Sequence, residues 1–163
     1  VVSVQPEPII LVGHSLGGMV AISAASQSDR IAGLVLLEGW TSLRAASAFG
    51  DGRFYGNLAP HVVERIQRKM QQTRDRFSSE AWQSFWDSVI KFDGTACLQE
   101  ARMPVLEVYG EMGRTPGSES MLQVPPNPTI EWAWIPDAGH YLPHERPADV
   151  ARVCETMIAR FDR

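Results

Sequence analysis

Several features are scarce in this 163-residue chain, and each scarcity removes a class of protein. No apolar run approaches the ~20 residues that a bilayer-spanning helix needs, so no membrane span is expected. Only two cysteines occur, Cys97 and Cys154, far apart and outside any C-x-x-C pattern. They read as reduced core residues rather than a disulfide or a metal pair, and with them comes the expectation of a cytoplasmic setting. Positive charge is not in excess: the formal net charge of −4 argues against nucleic acid as a partner. There is no H-E-x-x-H, no cysteine cluster and no Walker-type G-x-x-x-x-G-K, so neither a metal nor a phosphate-bearing cofactor is expected. No signal-peptide pattern opens the chain. It begins Val1-Val2 rather than with Met, as a fragment or a processed chain would.

What remains is an ordinary globular composition, 44% hydrophobic and 21% charged, in a chain long enough for one domain with a real core. Pro8 to Val12 reads as a short buried strand. From Ser15 to about Gln27 the pattern turns helical, with Leu16, Val20, Ala24 and Ala25 in one spacing set. Ile31 to Leu37 is again a continuous apolar run, closed by Glu38-Gly39. Strand, helix, strand in this span predicts a βαβ unit, hence parallel pairing and a right-handed crossover.

Residues 40–101 read as a helical insertion. Pro60 to Phe77 carries Val63, Ile66, Met70 and Phe77 among many charges, a surface helix. Ser78 or Ser79 caps the next one, where Trp82, Phe85, Trp86, Val89 and Ile90 form an aromatic apolar face. Pro104 to Tyr109 predicts a third strand. Thr129 to Ile135 predicts a fourth, at an edge with a wetter Glu131/Ala133 face. Pro147 to Arg163 predicts a final helix through Val150, Val153, Cys154, Met157, Ile158 and Phe161, with Pro147 in its first turn. The expected fold is α/β: a parallel sheet of about four strands flanked by helices, with residues 1–39 and 102–163 as the core and 40–101 as a helical cap.

The most informative stretch is Gly13-His14-Ser15-Leu16-Gly17, which matches G-x-S-x-G between a predicted strand and a predicted helix. A serine on such a strained turn is presented at the sheet edge. Bulk two residues before or after it is expected to collide with neighbouring backbone, and Gly18 to let the helix approach the sheet. The Leu16 N–H, at a helix N-terminus, faces the place where an oxyanion would form. An inert glycine-rich helix start is the competing reading. A serine nucleophile needs a base, and His140 lies in the turn-rich Pro136-Asp137-Ala138-Gly139-His140-Tyr141-Leu142-Pro143 loop after the last strand, at the same end of the sheet. His144 reads as a cap of the last helix or a solvent-facing residue, Asp137 as turn chemistry, and His61 and His14 as structural. His14 also stands with Trp40, Trp82 and Trp86 as a candidate substrate contact.

GHSLGG, the later PDAGHYLPHERPADV and the helical insertion between them resemble the α/β-hydrolase family, over the second half of that fold. The resemblance implies Ser15 as nucleophile, His140 as general base, the Leu16 backbone as one oxyanion donor, and residues 40–101 as a lid over an apolar site. It also implies an acid after the next-to-last strand, where Gly110-Glu111-Met112-Gly113 instead has Gly113 in the place of the Asp. Glu38, closing the strand after the nucleophile helix, is the first candidate to replace it and Glu111 the second. The resemblance further implies an upstream strand and loop with a second oxyanion donor, so a missing N-terminal half or a partner strand from another chain is expected. The function expected is a serine hydrolase of a small-molecule acyl substrate. The alternative is a non-catalytic module that keeps the fold as a small-molecule binder.

Overall fold

The computed structural model describes residues 8–46, 54–112 and 116–161. β1 (Ile9–His14) runs into α1 (Leu16–Ala25) and returns as β2 (Ile31–Leu37). Four helices follow: α2 (Leu43–Ala46), α3 (Pro60–Arg74), α4 (Ser79–Lys91) and α5 (Thr95–Glu100). Then come β3 (Val105–Gly110), a 3-10 turn at Glu119–Leu122, β4 (Ile130–Ile135), α6 (Leu142–Glu145) and α7 (Pro147–Ile158). The strands form one sheet in the order β1-β2-β3-β4, and every pairing is parallel.

Alternation along β2 divides the core into two layers. Leu34 and Leu36 face α1 and α5, packing with Ala21, Ile22 and Leu98. Val35 and Leu37 face the other way, toward Leu106, Val108, Leu142 and Met157. A strand covered on both sides by helices has no wet face, so its sequence is a continuous apolar run. β4 is an edge strand, yet both its faces are covered: Trp132 and Trp134 pack over Tyr109 and Leu122, and Ala133 and Ile135 join the α7 layer. Of the face expected to be wetter, Glu131 alone is exposed, held by Arg160 at 2.6 Å.

Three helical faces differ from expectation. α1 buries Gly18, Met19, Ala21 and Ile22, while Val20 is 61% exposed. It is apolar almost all round, so periodicity cannot select its face. Close approach does: a Cβ on Gly18 would lie 2.7 Å from the Gly39 Cα. On α4, Ser78 is the cap, accepting the Ala81 N–H at 3.2 Å, but Ile90 is 60% exposed and leaves the aromatic face. α7 stops at Ile158, which is exposed, and buries Met157 fully.

The serine turn assigns different tasks to its two glycines. A Cβ on Gly13 would meet the Gly17 carbonyl oxygen at 2.4 Å, whereas one on Gly17 would have open space. The expected collision therefore exists before the serine and not after it. Gly17→Ala, inside a helix, should raise stability by about 0.5–1 kcal/mol. Gly13→Ala should lower the melting temperature, because the obstacle is backbone. Equal thermal melts for the two variants would contradict this division.

Candidate active site

Parallel register sets the site. His14 pairs with Leu37, Leu37 with Val108, and Gly110 with Ile135, so the chain leaves β1, β2 and β4 at one end of the sheet. Ser15 follows β1 at φ 56, ψ −126, with its N–H donating to the Leu37 carbonyl at 2.9 Å. Glu38 follows β2 at φ 50, its N–H donating to the Val108 carbonyl at 2.8 Å. Both residues hold left-handed backbone that costs on the order of 1–3 kcal/mol, sustained here because the ladder continues through them. His140 sits five residues beyond β4 in a loop clamped by Glu145. That carboxylate accepts the Gly139 N–H at 2.9 Å and the Tyr141 N–H at 3.1 Å. A Cβ on Gly110 would meet the Ala138 carbonyl oxygen at 2.1 Å, so a glycine there lets this loop lie against β3.

The geometry joins three of the predicted residues. Ser15 Oγ lies 2.9 Å from His140 Nε2, and His140 Nδ1 lies 3.5 Å from Glu38 Oε2. The second distance is long for a hydrogen bond but leaves the two in electrostatic contact, and such contacts tighten when a site is filled. Glu38 Oε1 accepts the Gly110 N–H at 2.6 Å, and both Glu38 and His140 are buried. Glu111 closes the β3 end with its N–H on the Ile135 carbonyl at 3.0 Å. Gly113 lies outside the described residues. Leu16 opens α1 and lines the same cavity as Ser15. In the first turn of a helix a backbone N–H has no carbonyl four residues back to meet, which is the arrangement an oxyanion donor requires.

His14 points its Nε2 at the His140 carbonyl oxygen, 2.7 Å away. A carbonyl only accepts, so His14 carries its proton on Nε2 and donates it. Burial pushes its pKa down to about 4 against the pull of that bond. Neutral His14 therefore holds the backbone of His140 while its ring lies 5.0 Å from the His140 ring.

A cavity of about 700 Å³ opens over Ser15. Trp40, Trp82 and Trp86 all line it, as does His14. So do Phe54, Ile66, Met70, Phe77, Phe85 and Tyr141, giving a wall that is mostly apolar. Burial pushes the Tyr141 phenol up to about 12, leaving it a neutral hydroxyl. His144 belongs to α6 and does not cap α7; it is exposed, in line with its solvent-facing reading, and lies on the cavity wall. Asp137 is in a turn at φ 52. The contributions of Phe54 and Tyr141 had no readable signal, since both stand in aperiodic stretches where no spacing marks a face.

The profile of the alpha/beta hydrolase family matches residues 1–153. The chain belongs to this family. It is 30% identical over 182 aligned positions to the polyketide synthase ThaQ of Burkholderia thailandensis, across 91% of the chain and 9% of the synthase. Solved structures that share the fold include the following two. Est816, an N-acyl homoserine lactone degrading enzyme, is 20% identical with a TM-score of 0.60, covering 94% of this chain and 69% of that one. MGS-MChE2, an α/β hydrolase from the metagenome of sediments of the Mar Chica lagoon in Morocco, is 19% identical with a TM-score of 0.63, covering 96% and 64%. Among the described residues of this α/β hydrolase no helix is long and apolar enough to cross a membrane.

One buried group escaped the sequence reading. Glu107, in the middle of β3, is 1% exposed and lies 3.0 Å from the Tyr109 hydroxyl, which is also 3.0 Å from the Gly39 carbonyl. A hydroxyl has one proton and cannot donate to both. Burial pushes Glu107 up to about 8, against the Tyr109 bond and with help from the charge of Glu38. Neutral Glu107 can donate to Tyr109, which donates to Gly39, the residue after Glu38. Two buried carboxyls thus carry one charge between them.

This arrangement has a pH signature. Between the ordinary carboxylate value of 4.5 and about 8 the folded chain holds the extra proton on Glu107, so stability falls as pH rises through that window. His14 acts in the opposite sense, but only between about 4 and 6.5, where the unfolded chain holds the extra proton. Above the His14 window the Glu107 contribution is unopposed. Glu107→Gln should therefore flatten the decline in urea-melt stability between pH 6.5 and 8. A decline as steep as in the unaltered chain would refute a neutral Glu107.

Proposed function

We propose that this α/β hydrolase is a serine hydrolase that cleaves an ester or similarly activated acyl bond through an acyl-enzyme. The 2.9 Å contact between Ser15 Oγ and His140 Nε2, on the wall of an apolar cavity, carries the reading. Ser15 attacks the acyl carbonyl as its proton passes to His140 Nε2. The developing oxyanion accepts the Leu16 N–H. The protonated imidazole then gives its proton to the leaving group, and the acyl group remains on Ser15 Oγ. Water, deprotonated by His140, attacks the acyl-enzyme and releases the acid.

Glu38 is the acid in this scheme. Its carboxylate faces His140 Nδ1, holds the proton on that nitrogen and stabilises the imidazolium, while the Gly110 N–H fixes its other oxygen. The apolar wall supports an acyl chain as the group bound, with Trp40, Trp82 and Trp86 as contacts. Similarity to a segment of a polyketide synthase supports the same class of substrate. His14 acts as a positioning residue through the His140 carbonyl.

A fluorophosphonate probe followed by intact-mass spectrometry tests the scheme. One adduct is expected, mapping to Ser15 and lost in Ser15→Ala and His140→Ala. Ester turnover should fall by about four orders of magnitude in Glu38→Gln, as when the acid of such a triad is neutralised. Glu111→Gln should leave it within a few-fold. A folded chain that takes no adduct would favour the non-catalytic binding module instead. An equal loss in the two glutamine variants would overturn the choice of Glu38.

A further inference from the structure

The cavity wall is not uniformly apolar. Arg65 and Lys69 line it from α3, four residues apart and therefore on one stripe of that helix, beside Ile66 and Met70. Both are exposed at the mouth, and neither has an ion-pair partner among the described residues. α3 itself holds four cations, Arg65, Arg68, Lys69 and Arg74, against the single acid Glu64, in a chain whose net charge is −4. On the outer surface such charges are solvated and need no ligand. Here two of them border a largely apolar wall with low-dielectric aromatic neighbours, where a charge on a bound molecule is felt more strongly than in water. His144, also on the cavity wall, adds a further donor without adding an acid.

From this we infer that the cavity takes an acyl substrate carrying an anionic group away from its scissile bond, recognised by Arg65 and Lys69. The inference rests on the hydrolase reading for the identity of the scissile bond, but the anion preference belongs to the cavity. The anion has two chemical sources: a carboxylate at the far end of the acyl chain, or a phosphate on the carrier of an acyl thioester.

The test separates binding from turnover by using Ser15→Ala, which keeps the cavity and removes the nucleophile. Quenching of tryptophan fluorescence reports Kd for monomethyl adipate, for its neutral counterpart dimethyl adipate, and for hexanoyl-coenzyme A against methyl hexanoate. At least one anionic ligand should bind about fivefold more tightly than its neutral counterpart, as expected of one exposed ion pair. The difference should shrink as sodium chloride rises, because the pairs sit at the mouth. It should vanish in Arg65→Gln/Lys69→Gln. A preference for monomethyl adipate identifies the acyl chain as the source of charge, and one for hexanoyl-coenzyme A identifies the carrier. Equal affinities within both pairs, or a preference that survives the double substitution, overturn the inference. Failure of the hydrolase reading would register separately, as absence of the Ser15 adduct in the unaltered chain.

Discussion

The hydrogen bond from the Ser15 N–H to the Leu37 carbonyl, 2.9 Å long, extends the β1–β2 ladder one residue past the strand and into the serine turn. The rest of the site depends on that extension. It holds a non-glycine residue at φ 56 and aims Oγ away from the sheet, toward the loop that follows β4. The same device operates one strand over, where the Glu38 N–H reaches the Val108 carbonyl and the side chain is turned beneath His140. Parallel strands make this possible, since all their C-terminal ends emerge on one edge and successive crossovers can deliver different side chains there.

Burying ionisable groups at that edge requires each to be satisfied. Glu38 is met by a backbone N–H and an imidazole. His14 is kept neutral by burial and spends its proton on the His140 carbonyl. Glu107 is kept neutral as well and completes a chain through Tyr109 to Gly39. An unpaired ion in any of these places would cost several kcal/mol, and the neutral forms avoid it.

The helices between β2 and β3 contribute chemistry of a different kind. α3, α4 and the turn between them bring aromatic and aliphatic side chains over Ser15 and leave Met70 and Phe77 about half exposed along the opening. Such exposure is unfavourable for an isolated surface but natural for a wall that meets an apolar ligand. The cations of the same helix then supply direction to an otherwise greasy surface.

Much of this was legible in the residues. The short apolar run Ile31–Leu37, closed by Glu38-Gly39, reads as a buried strand, and a strand breaking into Gly13-His14-Ser15-Leu16-Gly17 and then a helix predicts a sharp turn with an exposed hydroxyl. Periodicity located α3, α4 and α7 because each has one apolar face. It failed on α1, where nearly every residue is apolar and the buried face is decided by the contact of Gly18 with Gly39. It also could not choose between Glu38 and Glu111, which occupy equivalent ends of neighbouring strands, nor find that Glu107 lies under Tyr109. By itself the sequence determined most of the local conformation, the parallel pairing of its strands and the short list of reactive side chains, because these follow from period, turn chemistry and hydrophobicity. Which carboxylate meets His140, which carboxyl stays neutral and which side chains wall the cavity were decided only by tertiary structure. Those properties depend on distances and burial between residues up to 126 positions apart, as for His14 and His140, and no local pattern encodes them.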